Sequence, residues 1–140
     1  MRLRVDSDRA LSPSGQIVET VLDAVAAGEL GPAARLPSVR EAAAEALVNP
    51  NTVARAWRDL EALGVVEGRA GSGVFVTAGG PEIARRERRR ATLDALRQAA
   101  EQAARSGHES GPILEEVRRA LARAAREASR DASDGKGGRR

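Results

Sequence analysis

The sequence predicts a mainly α fold with one small β-hairpin, a winged helix-turn-helix followed by a two-helix dimerisation hairpin. Three observations carry this. Apolar residues recur at helical spacing through residues 13–63. Two short Val-rich segments then flank a Gly-rich stretch at 65–76. Beyond residue 81 the chain is dominated by Ala, Arg and Glu, with apolar residues alternately three and four apart. The 140 residues suffice for one small domain with an accessory element and are too few for a large two-domain enzyme.

Ser12-Pro13-Ser14 opens the first helix, in which Ile17, Val18, Val21, Leu22 and Val25 share a face; Gly28 stops it. Residues 28–32 read as a connector. Ser38-Val39-Arg40-Glu41 is a capping box that starts a short second helix, ending at Ala46. Asn49-Pro50 starts the third, with Asn49 as cap and Pro50 at the first helical position. Its buried face is Val53, Ala56, Trp57, Leu60 and Leu63, and Gly64 ends it. Two helices joined by so short a turn form a helix-turn-helix. Val65-Val66 and Val74-Phe75-Val76 are strands around a turn at 67–73. Trp57, Phe75 and the aliphatic residues are expected to form the core of this winged domain, residues 1–78.

Gly79-Gly80-Pro81 reads as a hinge. Residues 82–130 then form a helical hairpin. Leu93, Leu96, Ala100 and Ala103 make one stripe, residues 106–111 break it, and Leu114, Val117, Leu121, Ala124 and Ala128 make a second. Stripes with so few large side chains bury little alone. A second copy of the chain is the economical partner, through Leu93, Leu96, Leu114, Val117 and Leu121; folding back on the first domain is the alternative. Residues 131–140, polar and Gly-rich, are expected to be disordered.

Composition excludes several chemistries. With no Cys there is no disulfide, zinc-thiolate site or thiol catalysis. His108 is the only histidine, in a loop, so no metal or other cofactor is expected. No nucleophile–base constellation stands out, so an enzyme is not expected. No apolar run approaches the length that spans a bilayer, and the N-terminus is too charged for a secretory signal. The net charge is +3, but residues 1–80 hold eight Arg against ten Asp and Glu, while residues 81–140 hold fifteen Lys and Arg against ten. Bulk charge therefore does not identify the partner.

Placed motifs do. Gly28-Glu29-Leu30, Leu36-Pro37-Ser38-Val39-Arg40-Glu41, Asn49-Pro50-Asn51-Thr52-Val53 and Arg55-Ala56 occur in order. They continue into Leu60-Glu61, Leu63-Gly64 and Gly71-Ser72-Gly73-Val74-Phe75-Val76. Over residues 12–78 this series resembles the DNA-binding domain of the GntR family of bacterial transcriptional regulators. The Asn-Pro-Asn-Thr-Val motif with a short helical tail resembles the YtrA-type subfamily in particular. The resemblance implies a cytoplasmic, nucleoid-associated regulator without enzymatic activity. Its partners would be double-stranded DNA carrying a palindromic operator, a second copy as homodimer, and an unknown small-molecule effector. It would act as a repressor.

In this reading the third helix enters the major groove with its first residues nearest the bases. Asn51, Thr52 and Arg55 are the polar residues there; Asn pairs with adenine, Arg with guanine, and Thr suits a phosphate or a thymine methyl. Helix capping is the other role open to Asn51 and Thr52. Arg58, one turn on, is a phosphate contact or solvated. The resemblance points to Arg40 as a DNA contact. The helix N-terminus at Ser38 offers N–H groups to a phosphate, with Arg35 adjacent. In the wing Arg69 can reach the minor groove or a phosphate, and Gly71 and Gly73 permit close approach or simply make the turn. Arg85-Arg86-Glu87-Arg88-Arg89-Arg90 is a solvated face or a further phosphate contact.

Three departures from the family pattern matter. Pro50 and Ala54 stand where many relatives carry a basic residue, which shifts base readout to Arg55. Leu47 stands where the turn before the third helix often has Gly, so that turn is expected to differ. The other functions weighed are an architectural DNA-binding protein of low sequence specificity and a winged-helix protein-interaction module.

Overall fold

The structure is a computed structural model that describes residues 1–134. It has two compact units, Met1–Thr92 and the helical segment from Leu93 onward. The first contains α1 (Pro13–Ala26), α2 (Val39–Ala46), α3 (Pro50–Ala62), β1 (Val66–Arg69), β2 (Gly73–Val76) and the first turns of α4 (Gly80–Arg105). α5 (Ser110–Asp134) follows. The fold is mainly α with one antiparallel hairpin, as the sequence predicts.

Local chemistry fixes the helix starts. Ser12 Oγ accepts from the Gly15 N–H at 3.2 Å, with Pro13 at the first helical position. The Ser38 capping box is complete: its Oγ accepts from the Glu41 N–H at 3.3 Å, and its N–H donates to the Glu41 carboxylate at 2.8 Å. Asn49 Oδ1 accepts from the Asn51 N–H at 2.8 Å. The apolar faces then meet. Ile17, Val21 and Val25 of α1, Ala42 of α2 and Val53, Ala56 and Leu60 of α3 are fully buried, and Trp57 nearly so. Val65, Val66 and Val76 close the core from the hairpin. Each large aliphatic side chain buried here contributes about 1.5–3 kcal/mol.

Several features differ from the sequence reading. β1 runs on to Arg69, so the turn shrinks to residues around Gly71, closed by the Ser72 N–H on the Arg69 carbonyl at 2.9 Å. Phe75 is not in the core: β2 alternates, Val74 and Val76 face inward, and Phe75 is left half-exposed on the outer face. Leu3 plugs the core from an N-terminal arm that the periodicity does not reveal. The arm is held by its N–H on Glu45 at 2.9 Å and by the buried Gln16 amide, which bonds Asp6 and Leu11.

Leu47 does not avoid the left-handed conformation. It sits at φ 54°, ψ 45°, with its own N–H and that of Val48 both donated to the Ala43 carbonyl. These bonds hold a backbone that costs a Leu about 1–2 kcal/mol. Gly79-Gly80-Pro81 is not a hinge either. Gly80 is buried as the first residue of α4, a Cβ there would lie 2.5 Å from the Val65 carbonyl oxygen, and Ala84 is fully buried one turn on. Close packing, not flexibility, explains this glycine.

In the second unit, α4 and α5 are joined through Gly107 at φ 88°. Both line an open groove of about 660 Å³ whose apolar walls include Leu96, Ala100, Ala103, Ile113 and Val117. Ile113 belongs to this wall although the heptad reading passes over it. Among the described residues from Leu93 onward no side chain is buried, and Leu93, Leu114 and Leu121 stay 67%, 57% and 66% exposed. α5 extends to Asp134, into the stretch 131–140 predicted to be disordered; residues 135–140 lie outside the described residues.

Candidate nucleic-acid interface

Because α3 turns Val53, Ala56, Trp57 and Leu60 inward, Asn51, Arg55 and Arg58 form an exposed stripe at spacings of four and three. Thr52 is half-buried beside it. The helix is capped by Asn49, and the side chains of Asn51 and Thr52 have no hydrogen bond among the described residues. Capping is therefore not their role. Arg55 and Arg58 have no ion pair among the described residues, so the stripe presents one amide and two uncommitted guanidinium groups. These are the groups that pair with base edges and phosphates.

Arg40, in the first turn of α2, is also exposed and without an ion pair among the described residues. Ser38 offers less to a phosphate than the sequence suggests. Its hydroxyl and N–H are both engaged by Glu41, leaving the N–H groups of Val39 and Arg40 as the open donors. Hydrogen bonds from Ser38, with the charge of Arg35 adding to them, hold the Glu41 carboxyl below its ordinary value of 4.5. The ionised carboxylate suits a helix N-terminus, and it occupies the place an external anion would take.

The wing is larger than a hairpin. Segment 33–36 pairs with the free edge of β2: the Ala33 N–H donates to Val76, the Val76 N–H to Ala34 and the Leu36 N–H to Val74, each at 2.9 Å. Arg35 thereby lies opposite Phe75. Arg69 Nε and Nη2 both donate to Glu67 Oε1, at 3.0 and 2.8 Å, and its guanidinium covers the Phe75 ring at 4.7 Å. Gly73, at φ 115°, lies opposite Arg69, and a Cβ there would sit 2.9 Å from Arg35 Nε. Arg35, Arg69 and Gly73 thus come together around Phe75, while Gly71 stands apart at the exposed tip. The sequence reading missed Glu67 and Phe75 as members of this face. The two-residue spacing of Glu67 and Arg69 was the signal for it.

The arginine run at the start of α4 is largely neutralised. Arg85 and Arg89 pair with Glu82, Arg86 with Glu87, and Arg88 bridges to Glu19 at 3.0 Å and to Asp23 on α1. Glu19 also accepts from Arg9 at 2.8 Å. The Arg9 hydrogen bond, with Arg88 adding to it against some desolvation, holds Glu19 below its ordinary value. Arg88 is structural, fastening the first turns of α4 to α1.

Residues 13–76 match the bacterial regulatory proteins of the gntR family. The chain carries a GntR-family helix-turn-helix domain over these residues. Two curated relatives are the HTH-type transcriptional regulator Rv1152 of Mycobacterium tuberculosis, 44% identical over 75 residues, and the HTH-type transcriptional repressor YtrA of Bacillus subtilis, 37% identical over 62. The matched segments cover 54% and 44% of this chain and 62% and 48% of those relatives, so the chain spans about half the length of the curated proteins it matches. Coverage is wider among solved structures. A transcriptional regulator from Oenococcus oeni is 31% identical with TM-score 0.62, over 84% of this chain and 95% of that one. A GntR family transcriptional regulator from Listeria monocytogenes shares the fold at 22% identity and TM-score 0.67, over 82% and 98%. Among the described residues no helix is long and apolar enough to cross a membrane, and no cluster of side chains could hold a metal ion.

Proposed function

We propose that this GntR-family chain is a sequence-specific DNA-binding transcriptional regulator, acting as a repressor on an inverted-repeat operator. The observation that carries the reading is the exposed, unpaired set of Arg40, Asn51, Arg55 and Arg58 on α2 and α3, beside arginines that are otherwise mostly ion-paired. α3 enters the major groove, Asn51 and Arg55 meet base edges, and Arg40 and Arg58 meet phosphates. Thr52, half-buried, keeps its methyl or hydroxyl for the groove wall. Repression is supported by the likeness to YtrA, itself described as a repressor.

The active form is a homodimer. From Leu93 onward the described residues bury no side chain and leave Leu93, Leu114 and Leu121 exposed, so these helices gain stability from a second copy, which covers the groove lined by Leu96 and Val117. Two α3 helices then meet successive major grooves about 34–36 Å apart. A small-molecule effector that alters the packing of these tail helices shifts DNA affinity through that spacing.

Gel-shift titration against a palindromic duplex from the upstream region tests the account. Tight binding, weakened by Arg40→Ala and lost on a scrambled duplex, is the expected result. Equal binding to scrambled DNA with no effect of Arg40→Ala would contradict it.

A further inference from the structure

The face of the wing around Phe75 carries a detail that DNA binding alone does not account for. Two arginines from distant parts of the chain flank one residue pair. Arg35 arrives on the segment paired with the free edge of β2, and its guanidinium lies against Gly73, where only a missing side chain leaves room. Arg69 arrives from β1, opposite the same glycine, with its guanidinium carbon over the Phe75 ring at 4.7 Å from the centroid. Residues opposite one another in a sheet share a face, so both guanidinium groups are on one side. Only one of them is committed. Arg69 places Nε and Nη2 on a single oxygen of Glu67, whereas Arg35 has no ion pair among the described residues.

We propose that Arg35 and Arg69 form one phosphate clamp for the DNA backbone, and that Glu67 is its internal competitor. The proposal rests on the DNA-binding reading given above. Phe75 holds the Arg69 guanidinium over the wing face, by the attraction of a cation for a ring face, and Gly73 admits Arg35 beside it. Glu67 keeps Arg69 parked on the wing in the free protein. Arg69 and Glu67 are each about half exposed, at 51% and 49%, so their pair is weak and a phosphate diester can displace the carboxylate. A displaced carboxylate then stands close to the phosphate and repels it. Glu67 thus sets the affinity of the wing contact below what its two arginines would give alone.

The test is DNA binding by fluorescence anisotropy of the full chain, with Glu67→Gln, Arg69→Ala, Arg35→Ala and the double variant Glu67→Gln with Arg69→Ala. All three positions are exposed, so thermal melts should match the wild type and separate binding from folding. Glu67→Gln should bind about two- to fivefold tighter, the size an exposed ion pair is worth, on operator and scrambled duplexes alike. Arg35→Ala and Arg69→Ala should each weaken both duplexes and lower the salt slope by about 0.9. The Glu67→Gln gain should fall below half in the Arg69→Ala background, where only the general field of the carboxylate remains. Unchanged or weaker binding by Glu67→Gln, or an undiminished gain without Arg69, overturns the clamp. Those outcomes leave DNA binding intact, whereas a wild type that binds no duplex overturns the proposed function itself.

Discussion

Replacing Gly80 by Ala places a Cβ 2.5 Å from the Val65 carbonyl oxygen and 2.9 Å from Val76 Cγ1. An unstrained carbon–oxygen contact is about 3.3 Å, so either α4 or the end of the hairpin must move by most of an ångström. Neither can do so cheaply. Val65 and Val76 are both essentially inaccessible, and the Thr77 N–H and hydroxyl tie the same strand end to Val65 and Gly64 at 3.0 and 2.7 Å. Overpacking of this kind costs about 1–3 kcal/mol, and the better helix propensity of Ala returns up to about 1 kcal/mol of it. At the first residue of α4 about half of that return applies, leaving a net loss of about 0.5–2.5 kcal/mol and a Tm lower by about 2–20 °C in a unit of this size. Trp57, the only tryptophan and buried in α3, reports unfolding of this unit by its fluorescence. Gly79→Ala is the control, since the nearest neighbour of its added Cβ is Ile83 Cδ1 at an ordinary 3.8 Å. A Gly80→Ala protein as stable as the wild type would refute the reasoning and restore the hinge that the Gly-Gly-Pro composition suggests.

Two further predictions concern stability. Leu47→Gly removes a left-handed Leu whose side chain is 91% exposed. It should leave the folded state unchanged or more stable by up to about 1 kcal/mol in urea, because the steric relief is about 1–2 kcal/mol and the added chain entropy about 0.5–1 kcal/mol; a loss above 1 kcal/mol would mean the side chain is packed. For Glu19 the folded-state carboxyl titrates below its ordinary value of 4.5. Its contribution is therefore present above that pH and lost as pH falls through the lower folded value. The gap in unfolding free energy from urea melts between wild type and Glu19→Gln should be under about 1 kcal/mol near neutrality and close on acidification, and a gap that widens in acid would contradict the Arg9 and Arg88 pairing.

What could be read from the sequence was local. The caps at Ser12, Ser38 and Asn49 and the buried stripe of α3 follow from spacings within four residues, and they stand in the structure except at Leu63, which caps the end of α3 and is exposed. That stripe also placed Asn51, Arg55 and Arg58 on the outer side. The missing features depend on contacts across the chain. Arg88 meets Glu19 from 69 residues away, so an arginine-rich run gives no hint of which member is structural. Leu3 and Val5 both face the core across exposed Arg4, but two apolar residues are too short a pattern to mark an element. Arg35 joins the wing through backbone pairing that no side-chain pattern encodes. Hydrophobicity alone points Phe75 into the core, and the two-residue alternation of a strand places it outside. Leu47 shows that six-to-one and five-to-one bonds to the Ala43 carbonyl can hold a residue where its propensity argues against it.

The most direct test of the central claim, that the exposed stripe of α3 reads DNA sequence, is the ratio of operator to scrambled-duplex affinity in Arg55→Ala compared with Arg40→Ala. The account predicts a wild-type ratio of about a thousand or more. Arg55→Ala should reduce that ratio at least tenfold, as loss of a base contact worth about 1–3 kcal/mol requires, while Arg40→Ala weakens both duplexes and leaves the ratio in place. A wild-type ratio near one, or a ratio indifferent to Arg55, would contradict it.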